Sequence, residues 1–202
     1  MGLYQQYFAH SLAWGDDAQH RLYGERKQRL FRGLEGTVVE IGPGTGVNLP
    51  YLPHGLRWIG LEPNPHMHDF VYEKLPGQGL DAELRTAPAQ ATGLPDNCAD
   101  AVISTLVLCS VPDLDEALAE LRRILKPEGR LLFIEHVAAP PNSWLCTCQR
   151  GIRPLWRALA DDCHPDRDTE AALHRHFADV SVERFRTGLP VVSPHIMGTA
   201  VV

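Results

Sequence analysis

The sequence predicts an α/β fold in which a mostly parallel sheet is covered by helices. Short runs rich in β-branched residues alternate along the chain with longer helical patterns, and this alternation is typical of parallel strands connected by helices. One run, Thr37–Ile41, leads directly into a glycine-rich turn, where a ligand can approach the backbone closely. With 202 residues, the chain has the length of one domain, and we expect a single domain over residues 1–202.

The predicted elements follow one another in a regular order. Residues 1–34 predict one or two helices that precede the first strand, with an apolar aspect formed by aromatic residues near the start. The clearest later helix is 113–125, where Asp113 can cap free amides and a leucine stripe predicts a buried face. The other predicted helices are Trp144–Leu159 and 168–176, and the predicted strands are Thr37–Ile41, Arg57–Leu61, 82–86, Ala99–Thr105, 130–136, 180–185 and 196–202.

Composition and charge exclude several classes of function. The formal net charge of −6 argues against nucleic-acid binding, which needs clustered basic residues. No apolar run reaches the ~18 residues of a membrane span, and residues 1–10 lack a signal-peptide core, so we expect a cytoplasmic protein without a membrane anchor. The five cysteines are expected to be thiols. Because the Cys146-x-Cys148 spacing matches structural zinc sites poorly, no metal site is predicted.

The most specific motif is the Glu-Ile-Gly-Pro-Gly-Thr-Gly segment of residues 40–46. Glycines without a Cβ let a ligand lie against the backbone, and the amides of the turn can hold an anionic group. Glu62 ends the second predicted strand about twenty residues further on, where a carboxylate can accept hydrogen bonds from both hydroxyls of a ribose. The two features together predict an adenosine-containing cofactor.

The details of the loop distinguish between two such cofactors. A nicotinamide site requires the pattern G-x-G-x-x-G, whereas here the third glycine comes one residue early and Val47 stands in its place. Glu40 places a carboxylate beside the ligand, which suits an ammonium and a sulfonium and repels a diphosphate. The loop therefore favours S-adenosylmethionine over a dinucleotide.

The pattern E-x-G-x-G-x-G is the donor-binding motif of class I methyltransferases, and the chain resembles this superfamily over nearly its whole length. Within the superfamily, four segments resemble the methyltransferase-like seven family of thiol S-methyltransferases and its bacterial relatives. These segments are Glu-Pro-Asn-Pro-His at 62–66, Thr-Leu-Val-Leu-Cys-Ser-Val at 105–111, Glu-His-Val at 135–137 and Pro-His-Ile-Met-Gly at 194–198. The resemblance implies a three-layer Rossmann-like fold with a seven-stranded sheet, an antiparallel closing strand, a helical lid at 1–34 and a catalytic core at 35–202.

The resemblance also implies which residues bind the donor. Residues of the glycine loop would hold the methionyl part, Glu62 the ribose, and residues after Glu62 the adenosine. Many relatives carry an acidic residue after the third strand, but Pro88 stands there, so Ala89 or Gln90 would contact the adenine edge. The expected donor-binding residues are Glu40, Gly42, Gly44, Gly46, Asn48, Glu62, Pro63, Asn64, Met67, Ala89, Gln90, Thr105 and Leu106.

Three residues are candidates for a catalytic function. His136 ends the fifth predicted strand, on the sheet edge where ligands of such folds bind, although a histidine there can equally bond only to backbone. His195 and Asp162, which is followed by Cys163 and His164, lie in segments that the resemblance places on the acceptor side.

The resemblance implies methylation of a small-molecule acceptor, first of all a thiol or sulfide sulfur, by a monomer or homodimer. One alternative is a C- or O-methyltransferase that acts on a quinone-like or natural-product ring, since related enzymes share the glycine loop. Less favoured alternatives are a nicotinamide-dependent oxidoreductase, which Glu40 and Val47 oppose, and a non-catalytic binding module.

Overall fold

A computed structural model describes residues 2–202, which form six α-helices and a seven-stranded sheet. The helices are α1 (Gly2–Trp14), α2 (Asp16–Phe31), α3 (His68–Lys74), α4 (Leu114–Ile124), α5 (Trp144–Leu159) and α6 (Thr169–His176). The strands are β1 (Thr37–Ile41), β2 (Arg57–Leu61), β3 (Asp81–Arg85), β4 (Ala99–Thr105), β5 (Leu125–His136), β6 (Asp179–Arg186) and β7 (Pro194–Val201). Two short 3₁₀ turns, Leu49–Tyr51 and Pro65–Met67, follow β1 and β2.

The strands lie in the order β3-β2-β1-β4-β5-β7-β6. Strands β1 to β5 pair in parallel, whereas β7 lies antiparallel between β5 and β6. This arrangement confirms the predicted α/β class, the seven strands and the antiparallel closing strand. The sequence order reverses between β1 and β4, and a ligand cleft is expected at the carboxyl ends of these two strands.

Side chains alternate between the two faces of the sheet, so each face has its own apolar core. On one face, Val39 and Ile41 of β1 lie in the same core as Leu118 and Leu121 of α4. On the other face, Val38 lies in a core with Phe31, Trp58 and other buried residues. Burial on both faces explains why Val38, Val39 and Ile41 of β1 do not alternate with exposed residues, and why even Glu40 of this strand is buried.

The boundary between α4 and β5 differs from the prediction. Asp113 caps α4 as expected, because its side chain accepts a hydrogen bond from the Glu116 amide. Leu125, however, begins β5 instead of ending the helix, and it pairs with Ala99 across an irregularity in the ladder. The prediction that β5 begins at residue 130 was wrong, because residues 126–129, which form the irregularity in the ladder, interrupt the apolar pattern without ending the strand.

Helix α1 and the start of α2 lie over the carboxyl edge of the sheet, whereas Phe31 at the end of α2 packs on one face of the sheet. Asp16, the first residue of α2, accepts hydrogen bonds from Thr45 Oγ1 at 2.7 Å and from Lys74 Nζ at 2.5 Å. Lys74 also donates to the Thr45 carbonyl at 2.7 Å. These contacts attach α2 to the glycine loop and to α3. Within residues 2–202, no helix is both long enough and apolar enough to cross a membrane.

Candidate active site

The glycine loop follows β1 and turns sharply back over the end of the sheet. Gly42, Gly44 and Gly46 have φ angles of 53°, 56° and 79°, in the left-handed region that glycine adopts without strain. A Cβ at Gly42 would lie 2.7 Å from Val107 Cγ2, and one at Gly44 would lie 3.2 Å from Leu12 Cδ2. Glycine is therefore required here by the backbone conformation and by close packing on Val107 and Leu12, and Gly42 and Gly44 also line the space above the loop.

Glu62 lies directly after β2, beside this loop, and is only 5% exposed. Its two carboxylate oxygens accept hydrogen bonds from the amides of Gly44 and Asn64, each at 2.9 Å. Burial raises the pKa of Glu62, and the two amide hydrogen bonds oppose that shift. Because each carboxylate oxygen can accept a second bond, the side chain is held in place while it keeps acceptor capacity for ribose hydroxyls.

Glu40 lies beneath the loop rather than on its surface, and is 1% exposed. Its oxygens accept hydrogen bonds from Asn48 Nδ2 and Trp58 Nε1, both at 2.8 Å, and Asn48 also donates to Thr105 Oγ1 at 3.0 Å. Burial raises the pKa of Glu40, whereas these hydrogen bonds lower it. Glu40 thus links β1 to β2 directly and to β4 through Asn48, and it does not line the cavity above the loop.

A cavity of about 560 Å³ opens above the glycine loop. Most of the predicted donor-binding residues line it, namely Gly42, Gly44, Glu62, Pro63, Asn64, Met67, Ala89, Gln90, Thr105 and Leu106. Among the residues that the structure describes, Glu40, Gly46 and Asn48 are predicted donor-binding residues that are not part of the wall. Bare backbone, a buried carboxylate and apolar walls fit S-adenosylmethionine, so the arrangement supports the donor site predicted from the sequence.

The N-terminal helices contribute a wall that the sequence motifs did not identify. Phe8, Leu12, Asp16 and Gln19 line the cavity from α1 and α2. A sequence signal existed for Leu12 and Phe8, which belong to the apolar aspect of the predicted helix. No comparable signal marked Asp16, because its partners lie far along the chain.

A buried carboxylate fixes the opposite wall of the cavity. Glu135 accepts hydrogen bonds from Ser104 Oγ at 2.6 Å and from the amides of Val107 and Leu108 at 3.1 and 3.2 Å. Burial raises the pKa of Glu135, against the effect of these bonds. Leu106, just before these amides, has a φ of 59°. Glu135 thereby stabilises the sharp turn that follows β4, and Leu106 and Val107 of this turn line the cavity.

A group of polarisable side chains lies at one end of the cavity. His136 Nε2 and Cys163 Sγ are 3.0 Å apart, and Trp156 Nε1 donates to the same sulfur at 3.3 Å. Hydrogen bonding from the Cys109 thiol lowers the pKa of Cys163, and His136 and Trp156 act in the same direction. The same contact, together with burial, raises the pKa of Cys109. Cys109, His136, Trp156 and Cys163 all line the cavity.

The other two candidate catalytic residues have different positions. Asp162 lines the cavity and accepts a hydrogen bond from Arg157 Nε at 2.7 Å. His195 is the partner of His136 in the β5–β7 ladder, but it lies behind the cavity wall, where its Nε2 is 2.8 Å from Tyr23 Oη. Burial lowers the pKa of His195 to about 4, so this imidazole is neutral near pH 7.

Comparison with known proteins identifies the class of this fold and site. A family model described as a methyltransferase domain matches residues 39–133, which contain the glycine loop, Glu62 and β4. A solved structure of a SAM-dependent methyltransferase from Thermotoga maritima, described as a possible histamine N-methyltransferase, superimposes with a TM-score of 0.71. It is 19% identical and the match covers 100% of this chain and 99% of the other. Fold, site and domain match together define a class I methyltransferase that uses S-adenosylmethionine.

Two human proteins specify the relationship further. Thiol S-methyltransferase TMT1B is 36% identical over 98% of this chain and 87% of the human protein. Thiol S-methyltransferase TMT1A is 33% identical over 87% of this chain and 78% of the human protein. The chain therefore belongs to the family of these thiol S-methyltransferases, as the four sequence segments indicated.

Proposed function

We propose that this enzyme transfers a methyl group from S-adenosylmethionine to the sulfur of a small, apolar thiol. The end of the cavity beyond the glycine loop carries this proposal. There, the sulfur, imidazole and indole groups of Cys163, His136 and Trp156 line the cavity, which is also lined by apolar residues such as Val111 and Val192. Soft, apolar surroundings suit a thiol, and the human relatives are named for thiol methylation.

S-Adenosylmethionine supplies the electrophilic methyl group, so the chain mainly has to position the acceptor and exclude water. The glycine loop and Glu62 hold the donor, with Thr105 and Leu106 beside its methionyl part. A thiol is acidic enough that a strong base is unnecessary. We assign to His136 the task of favouring the acceptor thiolate at the far end of the cavity.

His195 and Asp162 act as positioning residues in this proposal. The Tyr23–His195 contact supports β5 behind His136, and the Asp162–Arg157 pair shapes the loop that carries Cys163. We further propose that residues 1–202 act as one domain, with 1–34 as a lid over the core, in a cytoplasmic monomer or homodimer. Free thiols at all five cysteines fit a reducing compartment.

The test is a product analysis with two panels of acceptors. Purified protein is incubated with S-adenosylmethionine and with either alkyl and aryl thiols plus sulfide, or quinols and phenols, and methylated products are identified by mass spectrometry. S-Methyl products that disappear in the Glu62→Ala variant support the proposal. Methylation confined to ring carbon or oxygen would replace it with the ring-methyltransferase alternative.

A further inference from the structure

Three potential metal ligands meet at the acceptor end of the cavity. Cys109 follows β4, His136 ends β5, and Cys163 lies in the loop after α5, so they come from three separate parts of the chain. One ligand atom from each residue lies within 4.8 Å of the others. All three side chains are buried from bulk solvent, and all three line the cavity.

The backbone around these residues is fixed by hydrogen bonds between their loops. The His164 amide donates to the Cys109 carbonyl at 2.9 Å, which joins the loop of Cys163 to that of Cys109. Arg167 donates to the Leu108 and Val111 carbonyls at 2.8 and 2.6 Å. The Ala138 amide donates to the Arg167 carbonyl at 3.0 Å. The three ligands are therefore held together before any ion arrives.

The distances suit a small tetrahedral ion. With Zn–S bonds of about 2.3 Å and a Zn–N bond of about 2.0 Å, tetrahedral ligand atoms lie about 3.5 to 3.8 Å from one another. The His136–Cys163 contact of 3.0 Å would have to lengthen slightly, which small side-chain rotations provide. His136 Nδ1 is buried and has no hydrogen-bond partner within residues 2–202. With Nε2 as the ligand atom, Nδ1 stays protonated and points away from the ion.

We propose that Cys109, His136 and Cys163 form a three-ligand site for Zn²⁺, with the fourth position open to the cavity. Two thiolates and one imidazole are a ligand set that selects zinc, and three protein ligands with an open position are typical of catalytic rather than structural zinc. The two thiolates balance the charge of the ion, so a sulfonium donor is not repelled.

The open position would take the acceptor, a step that rests on the proposed thiol activity. A thiol that binds there releases its proton to solvent, since a thiol coordinated to zinc is deprotonated. Its sulfur then forms a bond to the methyl carbon, the carbon–sulfur bond of the donor breaks, and the electron pair remains on the sulfur of S-adenosylhomocysteine. In the zinc-loaded enzyme, His136 therefore favours the acceptor thiolate as a ligand of the ion and not by contact with the acceptor.

Cobalt provides a test that does not depend on activity. The reduced, metal-free protein is titrated with Co²⁺, whose tetrahedral sites with thiolate ligands give d–d bands and a sulfur-to-cobalt charge-transfer band. We expect about one equivalent to bind and Zn²⁺ to displace it. Because loss of an outer-shell partner alone costs about 10- to 100-fold in affinity, Cys109→Ser and Cys163→Ser should each weaken cobalt binding at least tenfold.

Cys98→Ser is the matched control, because Cys98 precedes β4 whereas the site follows its carboxyl end. Binding of S-adenosylhomocysteine, measured by calorimetry, verifies that each variant is folded. A wild-type protein without the charge-transfer band, or a band that survives in the Cys109→Ser/Cys163→Ser double variant, would overturn the metal site. If cobalt binds but ethanethiol leaves the d–d bands unchanged, the open position is refuted. Normal cobalt binding without thiol methylation contradicts the proposed function and leaves the metal site standing.

Discussion

Replacement of Glu62 by Gln tests the donor site most directly. The carboxylate is almost fully buried and already holds the amides of Gly44 and Asn64, each at 2.9 Å. Glutamine keeps one acceptor oxygen but turns an NH₂ group towards one of these amides. The variant therefore loses a charge-assisted acceptor for the ribose and leaves one backbone N–H without a partner.

The expected loss of affinity for S-adenosylhomocysteine follows from the number of ribose hydrogen bonds that the variant loses. A hydrogen bond to a charged group contributes about 1.5–3 kcal/mol, so the loss of one such bond to a ribose hydroxyl predicts about 10- to 140-fold weaker binding. The unpaired backbone amide should also lower the free energy of unfolding of the ligand-free protein by about 1–3 kcal/mol. Calorimetry with S-adenosylhomocysteine measures the first effect, and denaturant unfolding without ligand measures the second.

Glu83→Gln is the matched control, since Glu83 lies in the neighbouring strand β3 and pairs with Arg57 and Arg85 at the surface. It should bind S-adenosylhomocysteine like the wild type. If Glu62→Gln binds that ligand within about threefold of the wild type, less than 1 kcal/mol, the assignment of Glu62 to the ribose is refuted.

Three further predictions concern the loop, the lid and stability. Gly44→Ala should weaken binding of S-adenosylhomocysteine in calorimetry and cost about 1–2 kcal/mol of stability, because φ is 56° there and the new Cβ meets Leu12 at 3.2 Å. Asp16→Ala removes the contacts to Thr45 and Lys74, so stopped-flow measurements should show faster release of the same ligand. Glu120→Gln should lower the free energy of unfolding at pH 7 by about 1–2 kcal/mol, a value reduced for solvent screening. The Arg123 side chain lowers the pKa of Glu120 to about 2 from 4.5, so this stabilisation is complete above pH 4.5 and disappears as the pH falls towards 2.

Each of these predictions has a clear contrary result. Unchanged affinity in Gly44→Ala would mean that the ligand does not lie against this backbone, and Gly77→Ala controls for the strain of a positive φ in an open loop. An unaltered release rate in Asp16→Ala would show that α2 does not retain the ligand. A stability difference in Glu120→Gln that persists unchanged at pH 2 would contradict the role of its charge.

The proximity of the glycine loop and Glu62 was predictable because its signals are local. A buried strand, the three glycines and an acidic residue at the next strand end are close in sequence, and parallel pairing of β1 with β2 brings them together. Glu40 shows the limit of prediction from local sequence, since its position just before the glycines suggested a contact with the ligand. Its buried partners, Trp58 and Asn48, could be known only from the packing beneath the loop.

The acceptor half depends on contacts between distant segments. No sequence pattern marked Cys109 as a metal ligand, and the spacing of Cys146 and Cys148 matched structural zinc sites poorly. No local spacing could show that Cys109 and Cys163 lie beside His136, because the loop after α5 is attached there by backbone hydrogen bonds from His164 to Cys109 and from Ala138 to Arg167, which are distant in sequence. The start of β5 at Leu125 escaped prediction for a related reason, since residues 126–129 interrupt the apolar pattern and only the pairing of Leu125 with Ala99 shows that the strand begins there.

The two ends of the cavity are built from different stretches of chain, and this division affects how the enzyme can evolve. The glycine loop and Glu62 lie within residues 42–62, whereas Trp156, Asp162 and Cys163 belong to one short segment after the matched domain region. If the proposed assignment holds, mutations in that segment at positions other than Cys163 reshape the space for an acceptor without disturbing the donor. A lineage can thus explore new substrates by drift in a few codons while selection keeps the methyl-donor machinery constant.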